Sequence, residues 1–494
     1  MGEAKQAVLA GLKFNRSVRV EARGERLSDS GGAVLIRESL ERMGALRKLA
    51  AAIDDPRDPK KTTHPQSELL TTFVTMLALG WQDQDDADVL RKDPLLRLAV
   101  SDRAGDAPLR DDPALAGCAN PPVPQGLASQ PTLSRLVHRL ADRERLEMLR
   151  DGPRESAVRR VRGLTGGKRL KTLTLDIDAL PIPVEGHQPG SAYNGHFHET
   201  VYHPLVTTAA ELGDLLAVRL RRGQAHCAEG ACQTVLDDVR WAKEHLAESV
   251  VARIDAGMPS DPLLSTLERE RTHYLARLAG NAVLDRMAQP FLRRPPGRPP
   301  KLPRTWFHEM TYSAEKWSRE RRVVLVVLER EDDLLLHHFW LVTSWQASKV
   351  PADKVLARYR RRGVAEGHLG EFKDVLGLKL SSSPRGPRSD DWRSQFIGPV
   401  RPCDDPFFRA NDAMLQLCAI AYNAMHALRR LLYLGLPLAE RGWSLRHLRE
   451  RVLRVAARVC LHARRVMIVV TEATARYWKL ICDQWRWLDA CPAC

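Results

Sequence analysis

The stretch YRRRGVAEGHLGEFK, residues 359–373, decides the reading of this chain. Tyr359, Glu366 and Lys373 stand seven apart, so a helix of 3.6 residues per turn places them along one stripe. Arg362 precedes Glu366 by four and joins that stripe. A carboxylate flanked by a phenol and two cations is suited to hold a hard cation while its neighbours grip phosphate oxygens. The plainer alternative is a solvated charged helix face. Against it stand Gly363, Gly367 and Gly370, which weaken a helix and would let a bulky ligand or another backbone come close.

Working outward, two further runs offer carboxylates on strands. LTLDIDALPIPV (173–184) alternates like a strand and sets Asp176 and Asp178 on one face; SVVARID (249–255) reads as a later strand ending on Asp255. Alone, each Asp would more often cap a turn. Together with Glu366 they form the set that metal-assisted phosphoryl chemistry requires, since Mg²⁺ takes oxygen ligands and two such ions can serve the attacking and leaving oxygens. Between Asp255 and Glu366 lie 110 residues containing WFHEMTY, RRVVLVVLE and LLLHHFWLVTSW, three strand-like runs. Strands first, then alternating helix and strand, predict an α/β fold: a mixed sheet flanked by helices and interrupted by a β-rich insertion. Residues 352–376 read as helix, 409–432 as a long buried helix, and 445–461 as a basic amphipathic helix before the strand-like RVMIVV.

Length and charge bound the rest. The 494 residues predict several units, and 76 Lys and Arg against 61 Asp and Glu give a net charge of +15, which makes an acidic macromolecule the first partner to consider. No apolar run is long enough to span a membrane, and no signal peptide is read at the start. Nine sparse cysteines suit a reducing compartment; Cys491 and Cys494 have the spacing of half a zinc site whose other half is missing nearby. Residues 1–30 read as a polar, basic arm. Ser129, Thr132 and Arg135 begin a capped helix in a helical, basic region and can present hydroxyls and a guanidinium to DNA. PGRPPK (296–301), centred on Arg298, resembles minor-groove hooks. His337 and His338 are read as strand residues rather than ligands.

Tyr359-x2-Arg362-x3-Glu366-x6-Lys373 matches the Y-R-E-K motif of bacterial insertion-sequence transposases of the DDE type. LDIDALPIPVEG resembles that family's first-Asp strand and RIDAGM its second; LASQPTLSRL and PFFRANDAMLQLCAIAYNAMHALR resemble flanking segments, so the resemblance covers about residues 27–470. It implies an RNase-H-like core with Asp178, Asp255 and Glu366 as catalytic, metal-holding carboxylates, Asp176 being the alternative for the first. It further implies two Mg²⁺ ions with Mn²⁺ as substitute, and Tyr359, Arg362 and Lys373 on transposon-end phosphates. An insertion aromatic, best Trp317, would stack on a flipped base. Double-stranded DNA is the implied partner, both element ends and target, bound by a homodimer in a bacterial cytoplasm at the nucleoid. A copy that only binds DNA and a nuclease without strand transfer are the alternatives. The expected organisation is a helical DNA-binding region over 1–165, catalytic core over 170–284 and 346–435, β-rich insertion over 285–345, and a basic C-terminal region over 436–494.

Overall fold

LKTLTLDIDA is a strand whose apolar side chains Leu173, Leu175 and Ile177 are wholly buried on one face while Asp176 is buried on the other. A strand covered on both faces belongs at the centre of a sheet. In the computed structural model, which describes residues 7–21, 24–115, 121–186, 188–294, 302–330, 335–382, 404–462 and 465–490, this is β1 (Leu170–Ala179) of an eight-stranded sheet. The others are β2 (Leu205–Ala209), β3 (Asp214–Arg219), β4 (Ala247–Ile254), β5 (His273–Leu278), β6 (Arg304–Tyr312), β7 (Arg321–Glu329) and β8 (His337–Thr343). Their order is β6-β7-β8-β5-β4-β1-β2-β3. Only β4 runs parallel to its neighbours β1 and β5; every other pairing is antiparallel. The β-rich segment expected between Asp255 and Glu366 thus lengthens the central sheet, adding β6, β7 and β8 beside β5.

Five helices matter for the site: α1 (Gln130–Leu140), α2 (Ala231–His245), α3 (Ala352–Arg360), α4 (Arg362–Leu376) and α5 (Pro406–Gly435). Helix α5 is apolar nearly all round and forms the spine of the largest hydrophobic core, as such a helix must when it is buried. Helices Ala33–Met43, Gln66–Leu79, α1 and Arg143–Arg150 and the final helix Glu472–Ala490 pack against it and share one core with α4. Two of the polar residues of α5, Asn423 and Gln416, bond to β3, the edge strand. Asn423 accepts from the Leu215 N–H and donates to the Leu215 carbonyl, both at 2.9 Å, and Gln416 donates to the Val218 carbonyl at 2.7 Å. Side-chain amides thereby stand in for the missing neighbour strand on a buried edge.

Three sequence readings change. Residues 7–21 form a hairpin, Ala7–Leu12 with Asn15–Glu21, where a polar arm was expected. The expected helix over 445–461 is a short helix (Leu445–Leu448), a π-turn (Arg449–Leu453) and a strand (Ala457–His462). Of its arginines, Arg449 turns inward and caps the carbonyls of Leu77 and Ala78, while Arg446, Arg451, Arg454 and Arg458 stay exposed, Arg454 lying over the Trp81 ring at 4.5 Å. The strand pairs with Arg26–Ser28 and Arg465–Val469, and those ladders outweigh helical periodicity. The third change, a break in the 352–376 helix, belongs to the site below.

Asn423→Ala should leave both Leu215 backbone groups buried and unpaired and cost about 3 kcal/mol. A thermal midpoint lowered by several degrees checks this, with Asn423→Asp, which keeps the acceptor, falling between.

Candidate active site

Register brings the two strand carboxylates side by side. Arg253 of β4 faces Asp176 of β1, and Ile254 faces Ile177. Asp255, just past the end of β4, and Asp178, next to last in β1 and still paired with Val206 of β2, therefore sit together at the carboxyl ends of parallel strands, where open α/β sheets bind ligands. Helix α4 buries Ala365, Leu369, Phe372, Val375 and Leu376 against the core and is closed by Gly377 in the left-handed conformation (φ 53°). That buried stripe turns Glu366 outward, with more than half of its side chain exposed.

All three carboxylates meet one guanidinium. Arg362 donates to Asp178 Oδ2 at 2.5 Å, lies 3.2 Å from Asp255 Oδ1 and is hydrogen-bonded to Glu366 one helical turn on. Its side chain is only 11% exposed. Burial pushes the Asp178 carboxyl up to about 6, with the charges of Asp255 and Glu366 adding to the rise and Arg362 opposing it. Burial lowers the pKa of Arg362, but Asp178, Asp255, Tyr359 and Glu366 overcome this and raise it. Three acids around one cation leave negative charge uncompensated, and hard oxygen donors of that kind fit Mg²⁺ or Mn²⁺. They surround a planar fork rather than a point, and among the described residues no three His, Cys, Asp or Glu side chains are grouped closely enough to hold a metal ion.

Asp176 has a different occupation. It is 3% exposed and forms a forked pair with Arg253, whose Nη2 donates to Oδ2 at 2.6 Å. The remaining Arg253 nitrogen, Nη1, donates to the Arg358 carbonyl at 2.7 Å. In an unbroken helix that carbonyl would accept from residue 362. A side chain inserted into the helical ladder is a known cause of breaks, and the break falls at Arg361, between α3 and α4. Tyr359 thus sits on α3, half-buried, with burial raising its phenol, while Arg362, Glu366 and Lys373 sit on α4.

The other expected residues are spread out. Lys373 lies two turns beyond Glu366 and makes no side-chain hydrogen bond or ion pair among the described residues. Nothing in the described structure approaches Gly363, Gly367 or Gly370, whose face is open space. Ser129, Thr132 and Arg135, at the start of α1, line a cleft of about 840 Å³ with Arg57, Lys61, Arg91 and Lys92. Trp317 is packed against Tyr312, edge to face at 5.5 Å, with Arg321 over its ring at 5.0 Å. This seats it against the core rather than among the carboxylates. His338 lies on β8, 3.5 Å from Asp285. Arg298, Cys491 and Cys494 lie outside the described residues. Sequence reasoning passed over Arg253, although its signal was there: it precedes Asp255 by two, as Asp176 precedes Asp178, with opposite charge on a neighbouring strand.

A large mixed sheet flanked by helices is consistent with the RNase-H-like fold of DDE transposases. The sequence model of the family described as "Transposase DDE domain group 1" matches residues 10–386, and the chain belongs to that family. No curated relative matches the chain in sequence. Among solved structures it is similar to the piggyBac transposase synaptic complex with hairpin DNA. The TM-score is 0.34 and the identity 12%, covering 93% of this chain and 82% of the other. No helix among the described residues is long and apolar enough to cross a membrane.

Arg362→Ala strips the acids of the one counter-charge they share among the described residues. Without metal at pH 8 it should cost roughly 3 kcal/mol. Asp178, its folded pKa raised further, would gain a proton on acidification, so the loss should be full above that pKa and shrink towards pH 4. Thermal midpoints in EDTA across pH 4–8 check this.

Proposed function

We propose that this DDE-family protein is an active transposase: it binds the terminal inverted repeats of an insertion sequence, cuts the DNA at the element ends and joins the freed 3′-OH ends to target DNA. The observation that carries this reading is the meeting of Asp178, Asp255 and Glu366, from two strand ends and one helix, around a single cation. In the first step water displaces the flanking strand from an end phosphodiester, forming one P–O bond and breaking another. In the second, the 3′-OH does the same to a target phosphodiester. Bound Mg²⁺ ions supply activation of the attacking oxygen and neutralisation of charge on the leaving one. Asp178 and Asp255 would hold both ions and Glu366 the second. Arg362, once released from the carboxylates, is positioned to grip an end phosphate beside Tyr359, and Lys373 continues that track along α4. The bare glycine face of α4 leaves room for a phosphate backbone to lie close.

The α1 cleft supports a second contact with the duplex. Among the described residues Lys61, Arg91 and Arg135 have no ion-pair partner, and Arg139 one turn beyond Arg135 has two buried nitrogens without one. Asp58, Asp111 and Asp112 also line the cleft, Asp111 pairing with Lys92, and the cations that exceed them suit a polyanion. Two paired ends imply a dimer on DNA, in keeping with the chain's net charge of +15.

Glu366→Gln should bind end DNA as the parent does and lose strand cleavage by at least a thousandfold in Mg²⁺ or Mn²⁺; cleavage at the parental rate would overturn the assignment. Arg135→Ala should weaken end binding and make the slope of log K against log salt shallower by about 0.9, one phosphate contact's worth, in a titration from 50 to 200 mM salt.

A further inference from the structure

We infer that the buried Asp176–Arg253 pair is the positioning device of the active site: it fastens the joint between α3 and α4 to the sheet and so sets how far Arg362 and Glu366 stand from Asp178 and Asp255. The inference rests on the transposition reading for its consequence, but its geometry stands apart from it. Both side chains are at most 5% exposed, and they face each other across the parallel pair β1 and β4, one step below the two aspartates. A buried ion pair contributes little net stability compared with apolar residues of the same size, so stability alone does not account for this one.

A task for the pair is visible in the third donor. Arg253 spends one edge of its fork on Asp176 and the remaining Nη1 on the Arg358 carbonyl. Asp176 fixes the guanidinium plane and the guanidinium fixes α3 at its last turn. The chain then breaks at Arg361, and the next residue is Arg362, which meets Asp178, Asp255 and Glu366. A lysine in place of Arg253 would keep the charge opposite Asp176 but could not hold both carboxylate oxygens and the carbonyl, because an ammonium lacks the planar fork. Arg253 and Asp176 are positioning residues, acting on the reacting groups through the placement of α4.

Two full-length variants test this: Asp176→Leu with Arg253→Met, which removes the pair without orphaning a buried charge, and Arg253→Lys. Four quantities are read: thermal midpoint, end-DNA affinity, single-turnover cleavage rate in Mg²⁺, and amide hydrogen exchange over residues 358–366. Both variants should keep the midpoint within a few degrees, and end-DNA affinity should fall less than the cleavage rate, because the α1 cleft is untouched. Cleavage should fall at least tenfold, and exchange at the joint should quicken by a similar factor. Unchanged exchange together with parental cleavage would overturn the inference. A midpoint collapse in the double variant with parental exchange and cleavage in Arg253→Lys would assign the pair a purely structural role and overturn it as well. Exchange is measured on the protein alone. A parent that cuts no end DNA would therefore sink the transposition reading, while the exchange result would still decide the fastening.

Discussion

Like charges brought together out of water repel, and this site gathers three carboxylates, one of them largely buried. The chain meets that constraint with its own cation. Arg362 touches Asp178, Asp255 and Glu366 at once, so the acids can be held near one another. The sheet supplies two of them by register and α4 supplies the third. The guanidinium makes their convergence tolerable, and without it the strand ends and the helix would be driven apart.

The surrounding structure keeps α4 where that contact can form. Arg253 grips the helix joint from below. On the far side, Glu371 takes both its carboxylate oxygens to Arg429 of α5, at 2.6 and 2.8 Å, and also accepts the Leu445 N–H at 2.9 Å. Phe372 meets Tyr422 of α5 edge to face at 5.8 Å. Helix α5 is tied in turn to β3 through Asn423 and Gln416. Sheet, α5 and α4 thus form a closed circuit, with the acids where it returns to the sheet.

Much of this was legible before any coordinates. Period-two alternation around Asp176 and Asp178 identifies β1, and the seven-residue spacing of Tyr359, Glu366 and Lys373 finds the helical segment. What escaped was whatever depends on a partner distant in the chain. Periodicity through 352–376 gives no hint that an arginine from β4 captures the Arg358 carbonyl and breaks the helix. The arginines of 445–461 imitate an amphipathic helix, and only the Arg26–Ser28 and Arg465–Val469 strands show why 457–462 is extended. Arg362 was read as a phosphate contact; that the acids claim it first follows from their convergence, which spacing cannot reveal. The choice between Asp176 and Asp178 was open in sequence because both share a face, and it is Arg253 that separates their surroundings.

The burial of α5 also has a consequence for synthesis. Helices Ala33–Met43, Gln66–Leu79, Gln130–Leu140 and Arg143–Arg150 pack against residues 406–435, which leave the ribosome hundreds of residues later. Contacts of such sequence separation form slowly, and the interval exposes hydrophobic surface. The early helices must therefore wait, shielded by one another or by chaperones, and the spine and the carboxylate site can be completed only when nearly the whole chain has emerged.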